Sequence, residues 1–323
     1  SLYNPNFNGS VTSNFLTING EGITNISGTL YADKTVVNLE KFEFDEEQGG
    51  HYMARAGMST VGDKRLFGTL QVTNGRVSNL LSLLGKPVDK LDGSLSGTVD
   101  LGGTYGNPSL NVVGSIKDVT IDTKVVGDAK IDASLENRKF KIRTLKLPVD
   151  DGLIAAGGTV DLDGDADLQI AVRDVDIEPF LPLIGDNINA TGSITGVINM
   201  TGATQNPKVE LSASLANGSY NGIDIDQGFV LATMENHVIN VQRIQGVKED
   251  YKLSAYGKIP LAALYTTGYL DANDSKAMDM TIDFNEADMA VIPLITPTVK
   301  DATGALKGVV HVTGTIDQPE AYG

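Results

Sequence analysis

The sequence predicts an all-β fold, an elongated, curled, antiparallel-rich sheet with one short helix per repeat. Three observations point to it. A motif of three glycines and an Asn-Pro recurs along the chain, an apolar alternation slips by one residue at the same place in successive repeats, and tight-turn dipeptides are spread throughout.

The motif reads Gly93-Ser94-Leu95-Ser96-Gly97, Gly103, Asn107-Pro108, then Gly192-Ser193-Ile194-Thr195-Gly196, Gly202, Asn206-Pro207, then Gly304-Ala305-Leu306-Lys307-Gly308, Gly314, Gln318-Pro319. Each time the glycines stand fifteen, eleven and five residues before the proline. With the opening Asn4-Pro5, the prolines are spaced by 103, 99 and 112 residues. Self-similarity at such a period marks units that bury their apolar surface against one another. The repeats are therefore 5–107, 108–206 and 207–318, flanked by the end of one repeat (1–4) and the start of another (319–323), in one continuous array. Because the chain starts and stops beside repeat boundaries, it is expected to be a segment of something longer.

Within a repeat, proline opens a strand, where its missing N–H costs least. In the middle repeat strands are expected near Ser109–Ile121, Gly127–Glu136, Lys139–Leu147, Leu153–Leu162 and Asp167–Val175. Thirty-two residues after each of the first three prolines the patterns Val37-x-Leu39-x-x-Phe42, Phe140-x-Ile142-x-x-Leu145 and Ile239-x-Val241-x-x-Ile244 appear. A period of two holds the side chains on one face, and the extra residue predicts a β-bulge that bends the strand and restores that face. Further on, Leu70 and Val72 match Ile170 and Val172, which match Ile282 and Phe284. A non-alternating apolar stretch follows each pair: Val77–Leu84, Ile177–Ile184 and Met289–Ile295. Its spacing predicts a helical turn or two, cut short by prolines in two copies. Glycines four apart on a strand share a face and mark bending or close backbone approach. Asn19-Gly20, Gly49-Gly50, Asn74-Gly75, Asp92-Gly93, Asp151-Gly152, Asp163-Gly164, Asn217-Gly218 and Asn221-Gly222 are the turn signals.

Thirty-six glycines, no tryptophan and no cysteine among 323 residues suit strands and turns, and leave no disulfide or thiolate metal site. The net charge of −16 provides no basic stripe for nucleic acid and no Lys/Arg cluster for an anionic bilayer surface. No run reaches the ~20 apolar residues of a membrane-spanning helix. Asp161-x-Asp163-x-Asp165-Ala166-Asp167 is a partial calcium-loop pattern, but Ala166 and Val172 stand where glycine and glutamate are needed, so a solvated turn is expected. His51, His237 and His311 lack companions at ligand spacing and read as exposed strand residues. No nucleophile elbow, phosphate loop or paired-carboxylate motif is present, so neither an enzyme nor a cofactor is expected.

The outward residues Lys141, Arg143 and Lys146 interleave with Phe140, Ile142 and Leu145, giving each bent strand one polar and one apolar face. With so little helix to cover it, the sheet must curl. Periodicity alone favours a closed sandwich core over an open trough. The motif Gly-x-apolar-x-Gly, Gly-Thr/Ala, Asn-Pro, the strand Lys208–Leu215, and Gly157-Gly158-Thr159-Val160-Asp161-Leu162 ahead of Asp167–Val172 resemble the C-terminal half of the TamB (translocation and assembly module) family, of the AsmA-like repeating β-groove group. The resemblance runs over all three repeats and departs from pattern at Gln318-Pro319 and in its pronounced acidity. It implies a taco-like sheet with an apolar trough that shields phospholipid acyl chains between the two membranes of a diderm bacterium, in support of outer-membrane biogenesis. It further implies a periplasmic location, an inner-membrane anchor outside this segment and an outer-membrane barrel partner of the TamA/BamA type. Under that reading the trough is lined by Val37, Leu39, Phe42, Leu70, Val72, Phe140, Ile142, Leu145, Ile170, Val172, Ile239, Val241, Ile244, Ile282 and Phe284. The alternative is a scaffolding or adhesive β-repeat rod with a closed core.

Overall fold

The structure, a computed structural model, describes residues 6–83, 85, 87–88, 90–184, 189–264, 276–289, 302, 304–315 and 318–323. It is almost wholly antiparallel β and divides into two compact units, Ser1–Asp150 with Ala155–Asp163 and Asp151–Ile154 with Gly164–Gly323.

The first unit holds β1 (Phe7–Ile18), β2 (Glu21–Ala32), β3 (Val36–Glu46), β4 (His51–Ser59), β5 (Leu66–Arg76), helix α1 (Val77–Leu83), β6 (Leu91–Thr104), β7 (Asn107–Ile121), β8 (Lys124–Glu136) and β9 (Lys139–Val149). Each of these strands pairs antiparallel with the next in sequence. After β10 (Gly152–Asp161), the second unit repeats the plan with β11 (Asp165–Asp176), α2 (Leu181–Ile184), β12 (Ala190–Ala203), β13 (Lys208–Tyr220), β14 (Ile223–Glu235), β15 (Val238–Lys248), β16 (Tyr251–Pro260), α3 (Leu261–Leu264), β17 (Met278–Asp288), β18 (Ala305–Gly314) and β19 (Pro319–Tyr322). Among the described residues, its strands β11 to β19 likewise pair with sequence neighbours.

The expected bulges are present. The register shifts between Leu39 and Phe42, between Val241 and Ile244, and in the β8–β9 ladder where Ile142 and Leu145 face Ala133 and Ile131. A second bulge family was not foreseen. It lies between Val72 and Gly75, Val172 and Val175, and Phe284 and Ala287, again at corresponding points of the repeats. In two copies an Asn or Asp takes the left-handed conformation, Asn74 at φ 54° and Asp174 at φ 50°. Their N–H groups, released from the ladder, donate to Ser96 Oγ and Thr195 Oγ1, both at 2.9 Å. This corrects the turn reading of Asn74-Gly75, Asp92-Gly93 and Asn217-Gly218, which lie inside β5, β6 and β13. A residue at positive φ serves a bulge as well as a hairpin turn, so the dipeptide alone does not separate them. Asn19-Gly20 and Asn221-Gly222 do close two-residue hairpins, with positive φ at both positions of each.

The motif glycines answer two needs. Gly93, Gly192 and Gly304 share positive φ (155°, 123°, 119°), as do Gly103, Gly202 and Gly314 (77°, 83°, 83°), conformations open to glycine at little cost. At Gly97 a Cβ would lie 2.5 Å from Val113 O and 2.7 Å from Gly114 Cα, so the backbones approach where only hydrogen fits.

Of the helices, α1 and the pair formed by a 3₁₀ turn (Glu178–Phe180) and α2 fall where the apolar stretches predicted them, while the third stretch after Met289 lies outside the described residues. The helix α3 has no counterpart in the prediction; it follows β16, with Ala262 buried. In the first unit α1 packs on β5, β6 and β2, and Asn19 Nδ2 donates to Leu83 O at 3.0 Å. The buried apolar side chains Ile23, Ile26, Tyr52, Val72, Val119, Ile121 and Val126 gather at this margin of the sheet. Glu46 is buried among them, accepting from the Tyr52 hydroxyl and from Arg76 N–H at 3.0 Å. Burial, and then the Glu46 carboxylate, push the Tyr52 hydroxyl well above its ordinary range.

Candidate functional site

In an antiparallel ladder, directly paired residues share a face, so the registers decide whether the predicted lining residues belong together. They do. In the first unit one row runs Leu39, Ala56, Gly68, Leu101, Leu110, Leu135, Phe140, and a second runs Phe42, Ala54, Leu70, Val99, Val112, Ala133, Ile142. A third runs Phe44, Tyr52, Val72, Gly97, Gly114, Ile131, Leu145, and Val37 faces Met58 in a shorter one. In the second unit Ile170 leads through Ile198, Leu211, Ala232, Val241, Gly257 and Met280 to Val312. Val172 leads through Gly196, Ala213, Val230, Ile244, Ala255 and Ile282 to Val310. Ile239 lies between Met234 and Ile259, and Phe284 between Leu253 and Gly308. Every member of these rows is apolar or glycine, apart from the single hydroxyl of Tyr52.

The bulges keep the rows intact. An uninterrupted alternation from Val241 would send Ile244 to the opposite face; the bulge returns it, and Ile142 and Leu145 likewise. The other face is polar. There Arg143 bridges strands, with Nε donating to Asp132 Oδ1 at 2.7 Å and Nη1 to Ser134 Oγ at 2.8 Å, and Lys208 pairs with Glu210 at 2.6 Å.

Burial shows how far the apolar face is covered. Of the fifteen predicted residues, Val72, Val241 and Phe284 are buried (5%, 6% and 1% exposed), while Val37, Phe140 and Ile244 are exposed (36%, 37% and 42%). The other nine are half-buried. A closed sandwich core would bury nearly all of them to the level of Phe284. The apolar face within each unit therefore remains partly accessible.

Comparison with family models, curated proteins and solved structures finds no match for this chain.

Other candidates resolve into structure. Arg138 binds Asp163, through Nη2 at 2.9 Å and through Nε, and holds the Asp163 carboxyl below its ordinary range; Asp161 accepts from Asp163 N–H at 3.0 Å. Among the described residues no three His, Cys, Asp or Glu could hold a metal ion. His51 meets Asp45 at 2.6 Å. His237, expected on a strand, sits in the β14–β15 turn at φ 59°, and His311, expected to be exposed, is half-buried, 3.2 Å from Thr281 Oγ1 and stacked on Tyr322. No described helix is long and apolar enough to cross a membrane.

The prediction missed an apolar cavity of about 210 Å³ in the second unit, lined by Ile223, Ile225, Gly246, Lys248, Tyr251, Leu253 and Ala287 among others. The signal was present. Counting by two from Ile244 places Gly246 and Lys248 on the apolar face, where they pair with Leu253 and Tyr251.

Proposed function

We propose that this chain is a segment of a lipid-conducting β-groove, whose apolar face shields phospholipid acyl chains from water during transfer between two membranes. The observation that carries the reading is the set of unbroken apolar rows whose members, such as Phe140 and Ile244, stay partly accessible rather than sealed in a core. Each methylene removed from water is worth about 0.8 kcal/mol, so moving a two-chain lipid bare through water costs on the order of 20 kcal/mol. A continuous apolar surface removes most of that barrier, and no bond is made or broken. The resemblance of the repeats to the TamB family supplies the setting: a diderm periplasm, an anchor in the inner membrane, a partner barrel of the TamA/BamA type and a role in outer-membrane biogenesis.

The test is site-specific photo-crosslinking in cells, with the probe at Ile142 or Ile244 on the apolar face and at Arg143 on the polar face, followed by lipid mass spectrometry. Lipid adducts at the first two positions and none at Arg143 are expected. Equal or absent adducts at all three would leave a scaffold or adhesive rod, without lipid, as the surviving reading.

A further inference from the structure

Two lysines of the polar face meet carboxylates, Lys41 with Glu43 at 2.7 Å and Lys208 with Glu210 at 2.6 Å. Lys248 does not. It stands half-buried at the end of β15, on the apolar face opposite Tyr251, and no described carboxylate lies within ion-pair distance of it. Lys252, which also borders the cavity, belongs by register to the other face; Asp224, exposed, borders it as well, and the nearby Asp226 carboxylate accepts from Glu249 N–H at 2.6 Å. The cavity beside Lys248 is carbon-lined almost throughout, and above Gly246 there is open space, since a Cβ there would meet nothing within 4 Å. An ammonium on an apolar face, with no carboxylate at ion-pair distance, is short of a close counter-charge. The complementary ligand has a hydrocarbon body and one negative charge at its end.

We infer that this cavity receives the end of a single acyl chain that terminates in a carboxylate, with Lys248 as its counter-ion. This rests on the groove reading and narrows the class of lipid that dwells at this point. Lys248 lies two residues along the strand from Gly246, about 6.8 Å of strand. That spacing places the charge close to the open space above Gly246, within reach of a carboxylate that ends its hydrocarbon directly. Against a protein of net charge −16, which repels anions in general, a local cation is what makes an anionic end acceptable here.

Binding of dodecanoate, dodecanol and dodecyl phosphate to the whole 323-residue chain, measured by displacement of an apolar fluorescent dye, tests it. Dodecanoate should bind about tenfold more tightly than dodecanol, the scale of one charge-assisted contact. Lys248→Met should erase that preference with dodecanol binding unchanged, and Lys248→Arg should keep most of it. Gly246→Leu, which fills the cavity, should weaken both. Equal affinity of the two probes for the native chain would overturn the inference, as would a preference that survives Lys248→Met or one shown only by dodecyl phosphate. In those cases dodecanol that binds and is displaced by Gly246→Leu keeps the groove reading standing. Failure of every probe to bind brings down both.

Discussion

Asn107 Nδ2 donates to Asn137 Oδ1 at 2.7 Å, and one repeat later Asn206 Nδ2 donates to Asn236 Oδ1 at 2.8 Å. The asparagine of the recurrent Asn-Pro thus ties the start of its strand to the hairpin turn that closes the next two strands. Asn137 and Asn236 hold positive φ, at 51° in both, so the bond steadies a turn made without glycine. Replacement of Asn107 or Asn206 by Ala should lower stability by about 1 kcal/mol each, seen as a fall in the urea midpoint with unchanged slope. An undiminished midpoint would reduce the motif to a strand-start signal.

Burial differs enough along the rows to separate lining from core. Ile142→Asp places a charge on a half-buried position and should leave the circular dichroism of the chain native while abolishing lipid crosslinks. Phe284→Ala, at a position 1% exposed, should cost about 3–5 kcal/mol and unfold the second unit first. Unfolding by Ile142→Asp would mean that the face is a core after all.

Glycines on the apolar face are not equivalent. Gly97→Val would bring a Cβ to 2.5 Å from Val113 O and should destabilise by about 1–3 kcal/mol through forced backbone movement. Gly308→Val, where a Cβ meets nothing within 4 Å, should be neutral within about 0.5 kcal/mol. Thermal unfolding of the two variants, run side by side, checks the ordering.

Asp33 organises the β2–β3 turn. It accepts from Thr35 N–H at 2.7 Å, Thr35 Oγ1 at 2.8 Å, Tyr31 hydroxyl at 2.9 Å and Val36 N–H at 2.9 Å. The Thr35 amide and hydroxyl, with Tyr31, hold its carboxyl down at about 2 against an ordinary 3.8. A carboxylate depressed in the folded state contributes stability that is present above 3.8 and is lost as pH falls toward 2. Denaturant titrations should show that Asp33→Asn loses less stability than the native chain across that window. Parallel acid limbs would refute the assignment.

Strand positions and the first bulge family were legible in the sequence because both follow from period-two alternation and its interruption. The pattern Phe140-x-Ile142-x-x-Leu145 holds enough to set face and kink without any knowledge of the partner strand. The second bulge was harder to read. At Asn74 and Asp174 it is made by an αL residue whose N–H is taken up by a hydroxyl on the neighbouring strand, Ser96 or Thr195, a pairing that only the register reveals. Helix α3 escaped because Leu261–Leu264 is a single turn that follows β16 directly at Pro260, too short to show a helical period. Lys248 was passed over because a lysine in an alternating run is read as facing water, whereas here the alternation itself turns it toward carbon.

Among the described residues of each unit, strands pair with their neighbours in sequence. Such a chain can acquire structure hairpin by hairpin as it emerges from a synthesis or export machine, with little loop to close at any step and a low contact order overall. Gene duplication can then lengthen the protein by whole repeats without rewiring any existing pairing. Three copies of one motif in 323 residues are the expected trace of growth by that route.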